Sequence, residues 1–123
     1  MVQINEDINE NAADFDISYY LSYTFSMKHY EWNDAKNTLL KTERDVSFED
    51  VITAISEGFV FDDVKHPNVK KYPDQRILVV RIEDYIYIVP YIEKDDTTLF
   101  LKTVIPSRKA TKKYFTNNNQ KGV

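Results

Sequence analysis

The side chains with the most chemical reach in this chain are cations set among apolar residues. Arg76 and Arg81 bracket the run Ile77-Leu78-Val79-Val80, and Lys102 falls inside Phe100-Leu101-Lys102-Thr103-Val104. Arg108, Lys109 and Lys112 follow Ser107 in the stretch Thr103 to Phe115. Cations gathered on a sheet surface suit a phosphodiester, whose non-bridging oxygens collect negative charge in the transition state. The same residues are also accounted for by an exposed, solvated sheet face. Lys102 must run its stem along apolar surface, find a partner or line a cleft. His66, between Lys65 and Pro67, is the imidazole placed to move a proton during cleavage by a ribose hydroxyl, or else a solvated loop residue. Tyr85, Tyr87 and Tyr91 either stack on bases or pack within a sheet.

Ser107 is suited to cap a helix, because its hydroxyl accepts a hydrogen bond from a free first-turn amide. Pro106 before it keeps the incoming chain extended. Arg108 and Lys109 then stand at the positive end of the helix dipole, at a cost of up to about 1 kcal/mol per charge. An approaching anion removes that cost, since free amides and cations together cradle a phosphate. The bland reading of the same residues is a basic helix end in water.

Composition narrows the classes. At 123 residues the chain is one domain's worth, with 42% hydrophobic and 14% aromatic residues. It has no cysteine, so disulfides, thiolate chemistry and Cys-based zinc sites are out. His29 and His66 lie far apart, so neither metal nor cofactor is expected. A phosphate-binding glycine loop and a Gly-x-Ser-x-Gly elbow are both missing. No apolar run approaches the roughly 20 residues of a membrane span, and no secretion signal is visible, so the expected setting is the cytoplasm.

The net charge of −4 conceals an asymmetry. Residues 1–26 contain Glu6, Asp7, Glu10, Asp14 and Asp16 without a Lys or Arg, whereas Arg108, Lys109, Lys112, Lys113 and Lys121 follow Lys102 without an acid. An acidic head and a basic tail imply self-association or an anionic partner for the tail.

The spacing predicts an α+β domain of two N-terminal helices, a four-stranded antiparallel sheet and a C-terminal helix. Residues 1–26 read as an acidic, poorly ordered extension, with Ile17 to Phe25 a short element that docks on the domain. The globular unit is placed at 27–115 and a flexible tail at 116–123. Asn33 caps a first helix to about Arg44, with Trp32, Ala35, Leu39 and Leu40 along one flank. Ser47 and Asp50 form a capping box, and Phe48, Val51, Ile52 and Ile55 make one stripe ending at Gly58. Strands are expected at Phe59–Phe61, broken by Asp62-Asp63, then Arg76–Ile82, Tyr85–Ile92 and Leu99–Ile105. Pro90 predicts an edge or a bulge.

Taken together, residues 30–115 resemble the BrnT-type toxins. Tyr30-Glu31-Trp32-Asn33-Asp34-Ala35-Lys36 is similar to their aromatic-Glu-Trp-Asp opening, and Val46-Ser47-Phe48-Glu49-Asp50-Val51 to their Val-Ser-Phe-Glu-Glu-Ala helix start. Gln75-Arg76 falls where the family begins a strand with Glu-x-Arg or Glu-Arg, and Ile105-Pro106-Ser107-Arg108-Lys109-Ala110 resembles its Ile-Ser-Ala-Arg-Arg-Ala ending. The resemblance implies a RelE-like ribonuclease fold and a type II toxin that cleaves RNA without a metal and stops translation. It also implies an antitoxin partner with a DNA-binding domain; a toxin–antitoxin heterotetramer and a homodimer of the chain alone are the two expected assemblies. Arg76 and Arg108 would hold the scissile phosphate and His66 would move the proton, with Lys102, Lys109, Lys112 and Arg81 binding substrate. Glu43-Arg44-Asp45 stands where the family has Lys-His-Gly, so the histidine of that place is missing. The rival expectation is a non-catalytic RNA- or protein-binding module of the same fold.

Overall fold

The computed structural model describes the backbone of residue 17 and residues 19–122, with side chains through Phe115. Its architecture is α+β: helices pack on both faces of one mixed sheet. The acidic residues 6–16 lie outside the described part. Residues 19–26 form helix α1, which presses Leu21, Ser22 and Phe25 inward. The Ser22 hydroxyl accepts the Val60 N–H at 2.9 Å, and Phe25 meets Tyr91 edge-on at 6.0 Å. The packed unit therefore begins upstream of Met27, because a buried phenylalanine and a satisfied backbone donor tie α1 to the sheet.

The Asn33 side chain caps helix α2 (Asp34–Arg44), and Asp45 closes it in a left-handed conformation at φ 54°. Its inward face is Asn37 and Leu40, while Ala35 and Leu39 point to solvent, contrary to the expected flank. Asn37 is drawn inside because it has partners there: its Oδ1 accepts the Phe48 N–H at 2.8 Å, and its Nδ2 donates to Glu49 at 2.8 Å. Helix α3 (Phe48–Ser56) starts with both halves of the Ser47/Asp50 capping box and buries Phe48, Val51, Ala54 and Ile55. Gly58 follows at φ 88°, a conformation that other residues adopt at a cost.

The sheet runs in the order β1-β5-β4-β3-β2, from β1 (His29–Glu31), β2 (Val60–Lys65), β3 (Gln75–Ile82), β4 (Tyr85–Glu93) and β5 (Thr98–Leu101). A two-residue strand β6 (Ile105–Pro106) also pairs with β4, and α4 (Arg108–Gly122) closes the chain. The sheet thus has six strands and is mixed, since β1 pairs parallel to β5, rather than four strands all antiparallel. The strand β2 continues through Asp62-Asp63, with a bulge between Val60 and Asp62. The Asn-rich stretch expected as a tail is taken into α4.

Pro90 sits in the interior strand β4, opposite Ile77, rather than at a sheet edge. Its carbonyl accepts the Lys102 N–H at 2.8 Å, so its N–H-less nitrogen points to the same side, where β5 has ended and β6 has not begun. The proline is tolerated because no regular ladder runs there.

Alternation along β3 and β4 sorts the molecule into two layers. Leu78, Val80, Val89 and Tyr91 join Leu99, Leu101 and the inner faces of α1, α2 and α3 in the main core. Ile77, Val79 and Ile86 face the other way and are covered by Ala110, Tyr114 and Phe115 of α4.

Candidate nucleic-acid interface

The parity of the strand decides where the arginines go. Arg76 shares its face with Leu78 and Val80, the side of α1 to α3, and pairs across the sheet with Tyr91 and Lys65. Its Nε and Nη2 donate to the two carboxylate oxygens of Asp63 at 3.2 Å each, and Nη2 also reaches the Asp63 carbonyl at 3.1 Å. Tyr91 donates its hydroxyl to the same carboxylate at 2.7 Å. The hydrogen bonds it donates to Asp63 hold the Arg76 guanidinium even more firmly protonated than usual, and burial raises the Tyr91 phenol. Arg76 is therefore a neutralised member of a cross-strand network between β2, β3 and β4.

Arg108 lies on the opposite layer. The Ser107 hydroxyl accepts the Ala110 N–H at 3.0 Å, capping α4 as expected from the sequence. The start of this helix is fixed to β4 twice: the Ser107 N–H donates to the Ile86 carbonyl at 2.9 Å, and the Ile86 N–H donates to Thr111 Oγ1 at 2.8 Å. Ile86 pairs with Arg81, five residues along β3 from Arg76, a separation of about 16 Å at strand rise. Arg76 and Arg108 thus sit at different ends and on different faces of the sheet, and the shared phosphate clamp expected of them is not formed. Their opposed placement follows from strand parity together with the position of the α4 anchor.

His66 stays at the Arg76 end. Its Nδ1 accepts the Asn68 N–H at 3.0 Å and its ring lies 4.6 Å from that of Tyr72, so its contacts order the 66–74 loop. Arg81 is on the α4 face but engaged: its guanidinium lies 5.2 Å from the rings of both Phe59 and Phe115, and its Nε donates to the Glu83 carbonyl at 2.8 Å. It borders a cleft of about 310 Å³ whose other lining includes Asp50, Glu57, Glu83 and Asp84, a poor surface for an anion. Tyr91 is buried and unavailable for stacking on a base, and Tyr85 and Tyr87 lean on each other at 5.8 Å.

The remaining candidate cations all follow β5 in the chain. Lys102 lies just past the end of β5 rather than inside a strand, exposed, with Nζ 5.6 Å from the Phe100 ring. Its backbone bonds to Pro90 and that of Ser107 to Ile86, so Lys102 and the start of α4 border the same strand, β4, at points four residues apart. Arg108, Lys109 and Lys112 are exposed, and among the described residues none of these four has a carboxylate within ion-pairing distance. This is a cationic ridge beside β4, with Ala110 on the inner side of the same helix held in the second core.

Among the described residues no group of three or more His, Asp or Glu is arranged to hold a metal ion, and no helix is long and apolar enough to cross a membrane. Comparison with protein-family models, with curated proteins and with solved structures returns no match to this chain.

Proposed function

We propose that this protein binds RNA through the ridge of Lys102, Arg108, Lys109 and Lys112, and that it works as the toxin-side member of a toxin–antitoxin pair, in line with its resemblance to BrnT-type proteins. The observation that carries the reading is the contrast between two kinds of cation. Arg76 is neutralised by Asp63 and Arg81 is flanked by two rings, while the ridge cations are exposed and without carboxylates among the described residues. Binding rather than cleavage is favoured because the imidazole of His66 belongs to the other end of the sheet. A second reading, metal-independent endoribonuclease action by attack of the ribose 2′-hydroxyl, keeps support from Arg108, which is free to meet a phosphate.

Fluorescence anisotropy on a single-stranded RNA, repeated across salt, tests the proposal. Three to four phosphate contacts correspond to a log–log salt slope of about −2 to −3. Arg108→Ala with Lys109→Ala should weaken binding and flatten that slope by about 1.4. Binding that ignores both salt and the double substitution would remove the ridge from consideration. Gel analysis of the same samples separates the readings: intact RNA supports the binding module, and cleavage lost in the double variant supports the nuclease.

A further inference from the structure

A second surface stands out, and it is apolar rather than charged. Ile17, Tyr19, Tyr20, Tyr23 and Met27 are 54%, 65%, 71%, 59% and 67% exposed. Tyr20, Tyr23 and Met27 stand at i, i+3 and i+7, so they share one stripe of α1 and its exit, with Tyr19 beside them. The inward side of α1 is already occupied by Leu21, Ser22 and Phe25, so this outward stripe contributes nothing to the fold's own core. No charged residue occurs from position 17 to position 27.

We infer that this face is a homodimer interface, in which α1 of one copy lies antiparallel to α1 of a second. Two features of the chain favour a second copy as the occupant. A two-fold interface places the same patch against itself, and an uncharged patch does so without bringing like charges together. The exposed fractions of the five side chains correspond to about 600 Å² per copy, or about 1,200 Å² for a pair, at the lower limit of specific interfaces. RNA has no cation to meet on this stripe. An interfacial membrane helix would carry lysines or arginines along its polar flank, which α1 lacks.

Sedimentation velocity on the full chain tests this, from a few micromolar to about 200 µM and at low and high salt. A concentration-dependent dimer of roughly micromolar affinity, unchanged by salt, is expected from an apolar interface of this size. Tyr20→Glu with Tyr23→Glu should leave a monomer over the whole range, a loss of at least about 30-fold in association, and Tyr20→Ser with Tyr23→Ser should weaken it in the same direction. Both pairs are surface changes, so circular dichroism and melting temperature should stay close to wild type. A wild-type chain that is monomeric at 200 µM, a dimer untouched by both variant pairs, or a dimer dissolved by salt would each overturn the inference. RNA affinity measured on the same variants keeps this result separate from the ridge, since neither tyrosine belongs to it.

Discussion

Replacing Arg76 by alanine separates a structural arginine from a substrate-binding one. The substitution removes two hydrogen bonds to the Asp63 carboxylate and one to the Asp63 carbonyl. It leaves a carboxylate whose side chain is only 19% exposed with the Tyr91 hydroxyl as its remaining partner. Hydrogen bonds to charged groups contribute about 1.5–3 kcal/mol, but the Arg76 side chain is 34% exposed, so solvent screening lowers the net loss to about 1–2 kcal/mol. For a domain of this size that corresponds to a melting temperature lower by about 4–10 °C. Arg76→Lys should recover less than half, because an ammonium cannot span both carboxylate oxygens. Asp63→Ala combined with Arg76→Ala should cost less than the sum of the single changes, since each removes the other's unpaired charge. Thermal melts followed by circular dichroism give these numbers, with RNA anisotropy on the same samples. An unchanged melting temperature together with lost RNA binding would refute the reasoning and return Arg76 to the substrate.

Asn37→Leu should destabilise the α2–α3 junction by about 1–3 kcal/mol, because the Phe48 N–H loses its acceptor within a closed contact; urea denaturation midpoints measure it. The hydrogen bond from Asn37 is also the main reason that the Glu49 carboxyl lies below its ordinary value. A carboxylate with a lowered folded-state pKa adds stability that is complete above the unfolded value and is lost as pH falls through the folded one. Glu49→Gln should therefore reduce the loss of stability on acidification below the ordinary carboxylate range. The effect should be small, since this side chain is 58% exposed. A series of denaturation curves from neutral to acidic pH that runs parallel for the two proteins would contradict it.

Local signals were legible wherever the partner is close in sequence. Ser47 and Asp50 cap each other three residues apart, Asn33 caps through Lys36, and Ser107 through Ala110. The alternation of tyrosine and isoleucine from Tyr85 to Ile88 translates into a strand with two distinct faces. What escaped has its cause far away along the chain. Asp62-Asp63 reads as a strand break because the group that neutralises Asp63 is Arg76, thirteen residues on. His29–Glu31 is a strand only by virtue of its parallel partner Thr98–Phe100. Asn37 is buried on α2 in place of the more apolar Ala35 and Leu39, since it alone can satisfy the first amide of α3. Lys102 reads as mid-strand because nothing in the residues themselves marks the gap between β5 and β6.

The candidate site shows the same limit in sharper form. Ile77-Leu78-Val79-Val80 is apolar at every position, so alternation alone cannot say which face of β3 is covered by which helix. Arg76 and Arg81 differ in parity and must point to opposite faces. That much is fixed once the segment is a strand. What remains is which arginine shares a layer with Arg108, and the answer depends on α4 crossing over Ile77, Val79 and Ile86. The crossing places Arg81 under Phe115 and leaves Arg76 to the Asp63 network on the other side. It also makes α4 serve two purposes at once: Ala110, Tyr114 and Phe115 close the second core, and Arg108, Lys109 and Lys112 are carried outward by the same helical period. The geometry of the cationic ridge is thus set by apolar packing on the helix's inner side, so the position of its charges depends on residues that no anion would touch.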